Sequence, residues 1–283
     1  MKREPVVSGQ FYPDLPQEIN ETIESCYIHP VGVGKNTVQV KGKLKGLILP
    51  HAGHIYSGPT TTWGMKRLSL ENPKPKRFLM LGPNHRVRGE SAAISPDNFW
   101  ETPLGECAID EELRQAFLNT GSFKADTLAH SLEHSIEVQI PFLQHLYKKE
   151  TFSILPIAFL HTISLKDCEK IGKAISQVLS RSEFSDVCVI VSSDFSHDIT
   201  KNEAYKIDGE AIEIIEKIDP SKFYEMVKNE DRSICGFIPI TIFLFSLLGK
   251  NVAGRKLNYS TSMEIIPHPR GVGYGAIAFE EKH

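Results

Sequence analysis

Short unbroken apolar runs alternate along the chain with longer stretches whose apolar residues recur three and four apart. Runs of the first kind, bounded by turn residues, read as buried strands. They fall at residues 45–50, 78–81, 152–159 and 187–191, with further strands expected at 92–95, 257–261 and 271–279. The second kind predicts helices over 16–27, 60–70, 110–119, 165–181, 202–217 and 220–229. Acids in the first turn of the helix at 16–27 and a proline opening the one at 220–229 suit helix N-termini. Residues 237–248 are apolar all round and predict a buried helix, whereas 32–42 and 98–105, the latter holding Trp100, read as loops. Strand and helix alternate for most of the length, which is the βαβ signature. The expected fold is α/β, three layers with helices on both faces of a mostly parallel, mixed central sheet. No repeat, low-complexity tract or interdomain linker interrupts it, so residues 1–283 read as one domain.

Composition narrows the function classes. Thirty-two basic against thirty-five acidic residues give a formal charge of −3, without the basic excess of a nucleic-acid or anionic-membrane footprint. The most apolar stretch, 237–248, is too short to span a bilayer, and the first residues lack the apolar core of a signal peptide. Five scattered cysteines without a C-x-x-C pair predict reduced thiols, hence a cytoplasmic setting.

The candidate chemistry sits at the strand ends. His51 follows I-L-P, His85 follows L-G-P-N, and His197 follows S-S-D-F-S. One such histidine is better explained by a cap or a satisfied loop residue. Three of them point to a site, because the carboxyl ends of parallel strands converge on ligands. Imidazoles joined by a thiolate or carboxylate make a first-row transition-metal site. Cys235, in a loop beside Gly236 and ahead of a helix, offers the thiolate, while Cys26, Cys107, Cys168 and Cys188 read as core residues. Asp194 and Ser193 are placed to orient a neighbouring histidine. His54 and Tyr56 are expected to line the pocket near His51. His130, Glu133, His134 and Glu137 follow i, i+3, i+4, i+7 spacing, which puts all four on one face of a helix. That face reads as the edge of a pocket. Its H-x-x-E-H also matches the inverted zincin pattern, in which two histidines hold zinc and the glutamate acts as base.

Together, V-S-G-Q-F-Y-P at 7–13, L-P-H-A-G-H-I-Y-S-G at 49–58, G-P-N-H at 82–85, H-S-L-E-H-S-I-E-V-Q-I-P-F-L at 130–143, S-S-D-F-S-H at 192–197 and I-C-G at 234–236 resemble the MEMO family. Its bacterial and archaeal members are also called AmmeMemoRadiSam system protein B. The resemblance implies a fold similar to the class III extradiol ring-cleaving dioxygenases, which use non-haem Fe(II). It implies His51, His85 and Cys235 as ligands of iron or copper, with zinc ranked below them. It also puts His197 where the dioxygenases keep an acid/base histidine, with Asp194 orienting it. A thiolate replaces the dioxygenases' carboxylate and shifts preference toward softer metals, so ring cleavage does not follow from the fold. The expected function is a mononuclear non-haem metal protein with oxidoreductase-type chemistry on an unidentified small molecule. The alternatives are non-catalytic capture of a peptide or small anion in the same cleft, as animal members are linked to phosphotyrosine peptides, and zinc hydrolysis through His130, Glu133 and His134.

Overall fold

The four strongest apolar runs become neighbouring parallel strands at the centre of one 11-stranded sheet. The computed structural model describes residues 1–148 and 150–282. Its first half runs β1 (Lys2–Arg3), α1 (Pro16–Ile28), β2 (Leu44–Leu49), α2 (His54–Ser69), β3 (Arg77–Pro83), β4 (Ala92–Ile94), β5 (Phe99–Thr102), β6 (Gly105–Ile109), α3 (Glu111–Leu118) and β7 (Lys124–Ala125). The second half runs α4 (Ile140–Tyr147), β8 (Ser153–Phe159), α5 (Leu165–Leu179), β9 (Val187–Ser192), α6 (Lys201–Glu216), α7 (Pro220–Asn229), α8 (Phe237–Leu247), β10 (Val252–Thr261) and β11 (Gly273–Glu281).

The strand order is β1-β5-β6-β8-β3-β9-β2-β11-β10, with β4 beside β8 and β7 beside β4. Strands β8, β3, β9 and β2 are mutually parallel, while β11 and β10 close one edge antiparallel. Helices cover both faces: α2, crossed by α1, packs on β2 and β11, and α8, flanked by α5 and α7, packs on β3 and β9. Every residue of α8 is buried, as its uniformly apolar sequence requires. This is the expected mixed α/β sheet between helical layers. Among the described residues, no helix is long and apolar enough to cross a membrane.

Several local expectations are overturned. Residues 98–105 form not a loop but the start of the β5–β6 hairpin, with Trp100 buried under the Arg3 guanidinium 4.0 Å from its ring centroid. The alternation there is only four residues long, and pairing with β1 through Arg3 completes it from far along the chain. Helix α2 starts at His54 rather than residue 60, carrying Pro59 inside it. Packing against α1 and α4 offsets the backbone hydrogen bond that the proline forgoes. Strand β10 starts at Val252, earlier than its apolar pattern, because it pairs with β11 along its whole length.

The histidine- and acid-rich segment departs most. Between β7 and α4 only Glu137–Gln139 is helical, as a 3₁₀ turn, so His130, Glu133, His134 and Glu137 do not share a helix face. The Glu133 carboxylate accepts the backbone N–H groups of His134 and Ser135 at 2.9 and 2.8 Å. It therefore takes two donors that a continuous helix would have spent on its own carbonyls.

Candidate metal centre

Strands β3, β9 and β2 lie side by side, so the residues that leave their C-terminal ends meet. His51 leaves β2 through Pro50, His85 leaves β3 through Asn84, and Ser193–His197 continue β9. Cys235 arrives from the loop before α8. Gly236 allows that approach: a Cβ there would lie 2.3 Å from the Ser193 Cβ, and its N–H donates to the Ser193 hydroxyl at 3.0 Å.

One ligand-type atom each from His51, His85 and Cys235 fall within 4.8 Å of one another, a grouping that could hold a metal ion. His51 Nε2 lies 3.2 Å from Cys235 Sγ. The His51 ring is buried and the thiol half-buried, while His85 opens to solvent. Burial, together with the neighbouring His85, His134 and His197, holds His51 well below the usual imidazole range, and burial beside Asp194 pushes the Cys235 thiol up. The pair is accordingly a neutral imidazole facing a thiol at neutral pH.

His85 is held from behind by a carboxylate. Its Nδ1–H donates to Glu133 Oε1 at 2.9 Å and its backbone N–H to Oε2 at 2.6 Å. Burial works to raise the Glu133 carboxyl, but the hydrogen bond from His85 and the His85 and His134 rings overcome it, lowering it to about 2. This is the carboxylate–histidine arrangement that fixes the orientation of metal-binding imidazoles. The His134 ring stacks on His85 with centroids 4.7 Å apart and meets Phe11 at 4.6 Å. Burial lowers it to about 4. His85, Glu133 and His134 form a second close grouping, but the hydrogen bonds of Glu133 already account for it.

Asp194 does not touch His197 in the expected way. Its Oδ1 accepts the backbone N–H of His51 at 2.7 Å, so it anchors the end of β2. Burial pushes its carboxyl up. His197 is exposed and held by Ser233, its Nδ1–H donating to the Ser233 carbonyl at 2.8 Å, which leaves Nε2 free. It stands at the rim, outside the group of ligand atoms within 4.8 Å of one another. A cavity of about 360 Å³, walled in part by Val87, His161, Ser233 and Phe237, opens against His85 and Cys235.

The remaining expected pocket residues lie elsewhere. His130 is buried under Trp100 with Nε2 against the Ala93 carbonyl at 3.0 Å, so it cannot join His134 around zinc, and the H-x-x-E-H reading fails on geometry. Glu137 is buried against the N-terminal segment, accepting from Arg3, Val6, Val7 and Tyr12. His54 is a core histidine stacked on Tyr12, with Nε2 2.9 Å from the Val138 carbonyl. Tyr56 faces a different cleft of about 400 Å³ between the start of α2 and residues 9–14. Conversely, Ser192, Gln139 and Ser135 form a hydrogen-bonded group behind His51, and Phe11 packs on His134; the sequence marks them only as members of longer motifs. The one local signal is the place of Ser192 at a strand end, two residues before Asp194.

A sequence model described as Memo-like protein matches residues 3–278. A MEMO1 family protein of Nitrosopumilus maritimus is 38% identical over 283 residues, covering 99% of this chain and 100% of its own. One from Methanopyrus kandleri is 37% identical over 286 residues, covering 99% of each, and one from Thermotoga maritima 36% over 270, covering 94% of each. An uncharacterized protein of Escherichia coli K12 shares the fold with a TM-score of 0.56 at 12% identity, over 82% of this chain and 99% of that one. With the family model spanning all but the ends of the chain and relatives aligned end to end, the chain belongs to the Memo-like protein family.

Proposed function

We propose that this protein is a mononuclear non-haem metal protein in which His51, His85 and Cys235 hold iron or copper, with oxidoreductase-type activity on a small molecule. The observation that carries this reading is the convergence of two imidazoles and one thiol within 4.8 Å, His51 and His85 from the ends of β2 and β3 on either side of β9 and Cys235 from the loop before α8. The donor set fits. His85 points its free nitrogen away from Glu133, and Cys235 gives up its proton when a cation replaces it. Iron or copper bound there would supply one-electron redox chemistry, the thiolate favouring the softer ion.

The chain's own residues do the rest. Glu133 orients His85 and spreads its negative charge toward the site. His197, with Nε2 free at the rim, takes or gives a proton at that atom. Phe11 and His134 wall one side, and the cavity of about 360 Å³ admits a compact small molecule or a single peptide side chain. All five cysteines are unpaired, which supports a reducing, cytoplasmic setting.

The test is metal analysis after anaerobic purification, comparing the protein with His51→Ala. Iron or copper near one equivalent should fall sharply in the variant. Equal metal content in both proteins sinks the ligand assignment, and metal that never changes oxidation state with any candidate substrate supports capture without turnover.

A further inference from the structure

The two histidines of the site are held from behind by chemically different groups. Behind His85 stands the Glu133 carboxylate; behind His51 stands the Ser192 hydroxyl, with Oγ 3.0 Å from His51 Nδ1. Ser192 ends β9 and is fully buried, so its hydrogen-bonding capacity can be accounted for completely. A serine hydroxyl carries one hydrogen to donate and two lone pairs to accept. The Ser135 carbonyl lies 2.6 Å from Oγ, and two bare oxygens at that distance would repel, so the single hydroxyl proton lies between them. The Gln139 side-chain amide donates to the same Oγ at 3.0 Å and to the Pro50 carbonyl at 2.7 Å. The Pro50 contact fixes which end of the amide faces Ser192, because only its nitrogen can bond a carbonyl. Both amide hydrogens are then spent, and Gln139 Oε1 is left buried without a partner. One lone pair of Ser192 remains, and only an N–H on His51 Nδ1 can use it.

We propose that Ser192, clamped by Gln139 and Ser135, is the positioning residue that fixes His51 in its Nδ1–H tautomer. Nε2 then presents its lone pair toward Cys235, where it accepts the thiol hydrogen across 3.2 Å. The clamp reaches across the sheet. Ser135 and Gln139 come from the segment that also delivers Glu133 to His85, and the Ser135 hydroxyl donates to the Pro83 carbonyl at the end of β3 at 2.8 Å. One stretch of chain thus sets the donor atoms of both histidines, His85 through a charged acceptor and His51 through a neutral one. A neutral hydroxyl leaves His51 the weaker donor of the two, since carboxylate partners raise the basicity of the ring they hold.

This inference rests on the metal-protein reading for its consequence but not for its test. The tautomer is read in metal-free protein, by two-bond ¹H–¹⁵N correlation NMR of ¹⁵N-histidine-labelled protein at neutral pH. The His51 ring, assigned from its loss in His51→Ala, should show a protonated Nδ1 and an Nε2 at the position of a lone-pair nitrogen. An Nε2–H signature in the unmodified protein overturns the proposal, with no variant needed. Ser192→Ala should give a mixture of tautomers, and Ser192→Thr, which keeps the hydroxyl, should restore the single form. A general packing defect in Ser192→Ala would leave the tautomer unchanged, and that result also overturns the proposal. Co²⁺ titration then reads the consequence: affinity falls about 10–100-fold in Ser192→Ala and recovers in Ser192→Thr. If the tautomer responds as stated while Co²⁺ binds none of the proteins, the metal-protein reading fails and the positioning role of Ser192 stands.

Discussion

Replacing Glu133 by glutamine separates the shape of the group behind His85 from its charge. The carboxylate accepts four N–H groups: the ring and backbone of His85, and the backbones of His134 and Ser135. In Glu133→Gln one oxygen remains. Left in the Oε1 position it keeps three of these bonds in neutral form, but the new amide nitrogen then faces the His85 backbone N–H at the 2.6 Å separation of Oε2. An unsatisfied buried donor costs about 1–3 kcal/mol, and the surviving bonds lose their charge assistance, so about 2–4 kcal/mol of stability should be lost at pH 7. Acid should expose the same group. A carboxyl lowered from 4.5 to about 2 by folding contributes about 3 kcal/mol that is fully present above pH 4.5 and vanishes as pH falls toward 2. Glu133→Gln should lack that part of the acid sensitivity. For Co²⁺ or Fe²⁺ binding, loss of the carboxylate should weaken affinity about 10–100-fold. Urea unfolding at pH 7 and 3, with metal titration by absorbance at pH 7, measures both. A folded variant with unchanged metal affinity would refute the claim that Glu133 tunes His85.

Two further outcomes follow from the same structure. His54 and His130 are both lowered to about 4 by burial, so each is neutral when folded and takes up its proton more readily when unfolded. Stability should fall as pH drops from 6.5 toward 4, each contributing about 2 kcal/mol between pH 7 and 5. His54→Gln, which keeps a donor for Val138, should show a shallower fall in urea midpoints over that range, and an unaltered slope would contradict the assignment. Gly236→Ala should push the Cys235 loop off β9, because its Cβ would meet Ser193 Cβ at 2.3 Å. We expect a loss of about 1–3 kcal/mol and weaker metal binding, read by thermal melts and Co²⁺ titration. Full metal affinity would show that the close approach is dispensable.

The strand–histidine units were legible because each is written in consecutive residues. An apolar run announces a buried strand, and a residue just after it must stand at the strand's end wherever that strand goes, which puts His51, His85 and His197 at strand ends. Cys235, in a loop ahead of a helix, is joined to His51 and His85 by the family resemblance, and the fold leaves His197 at the rim. Segment 130–137 departs from its sequence pattern for the converse reason. Its spacing satisfied a helix locally, and nothing nearby in sequence shows that Glu133 accepts His134, Ser135 and the distant His85 instead. His54 and Tyr56 lie within five residues of His51, yet α2 carries them away from it, because a helix that starts at His54 turns those side chains toward α1, α4 and the N-terminal segment.

Periodicity and composition therefore determined which elements form, the class of sheet, and that His51 and His85 stand at strand ends, while the resemblance to the family joined Cys235 to them. Tertiary structure alone decided what stands behind those donors. Ser192 meets His51 across 141 positions and Glu133 meets His85 across 48. The physical reason is directional. Burial of apolar surface acts on each residue by type and can be read along a chain, whereas a hydrogen bond needs one particular donor facing one particular acceptor, and only the folded backbone sets that direction.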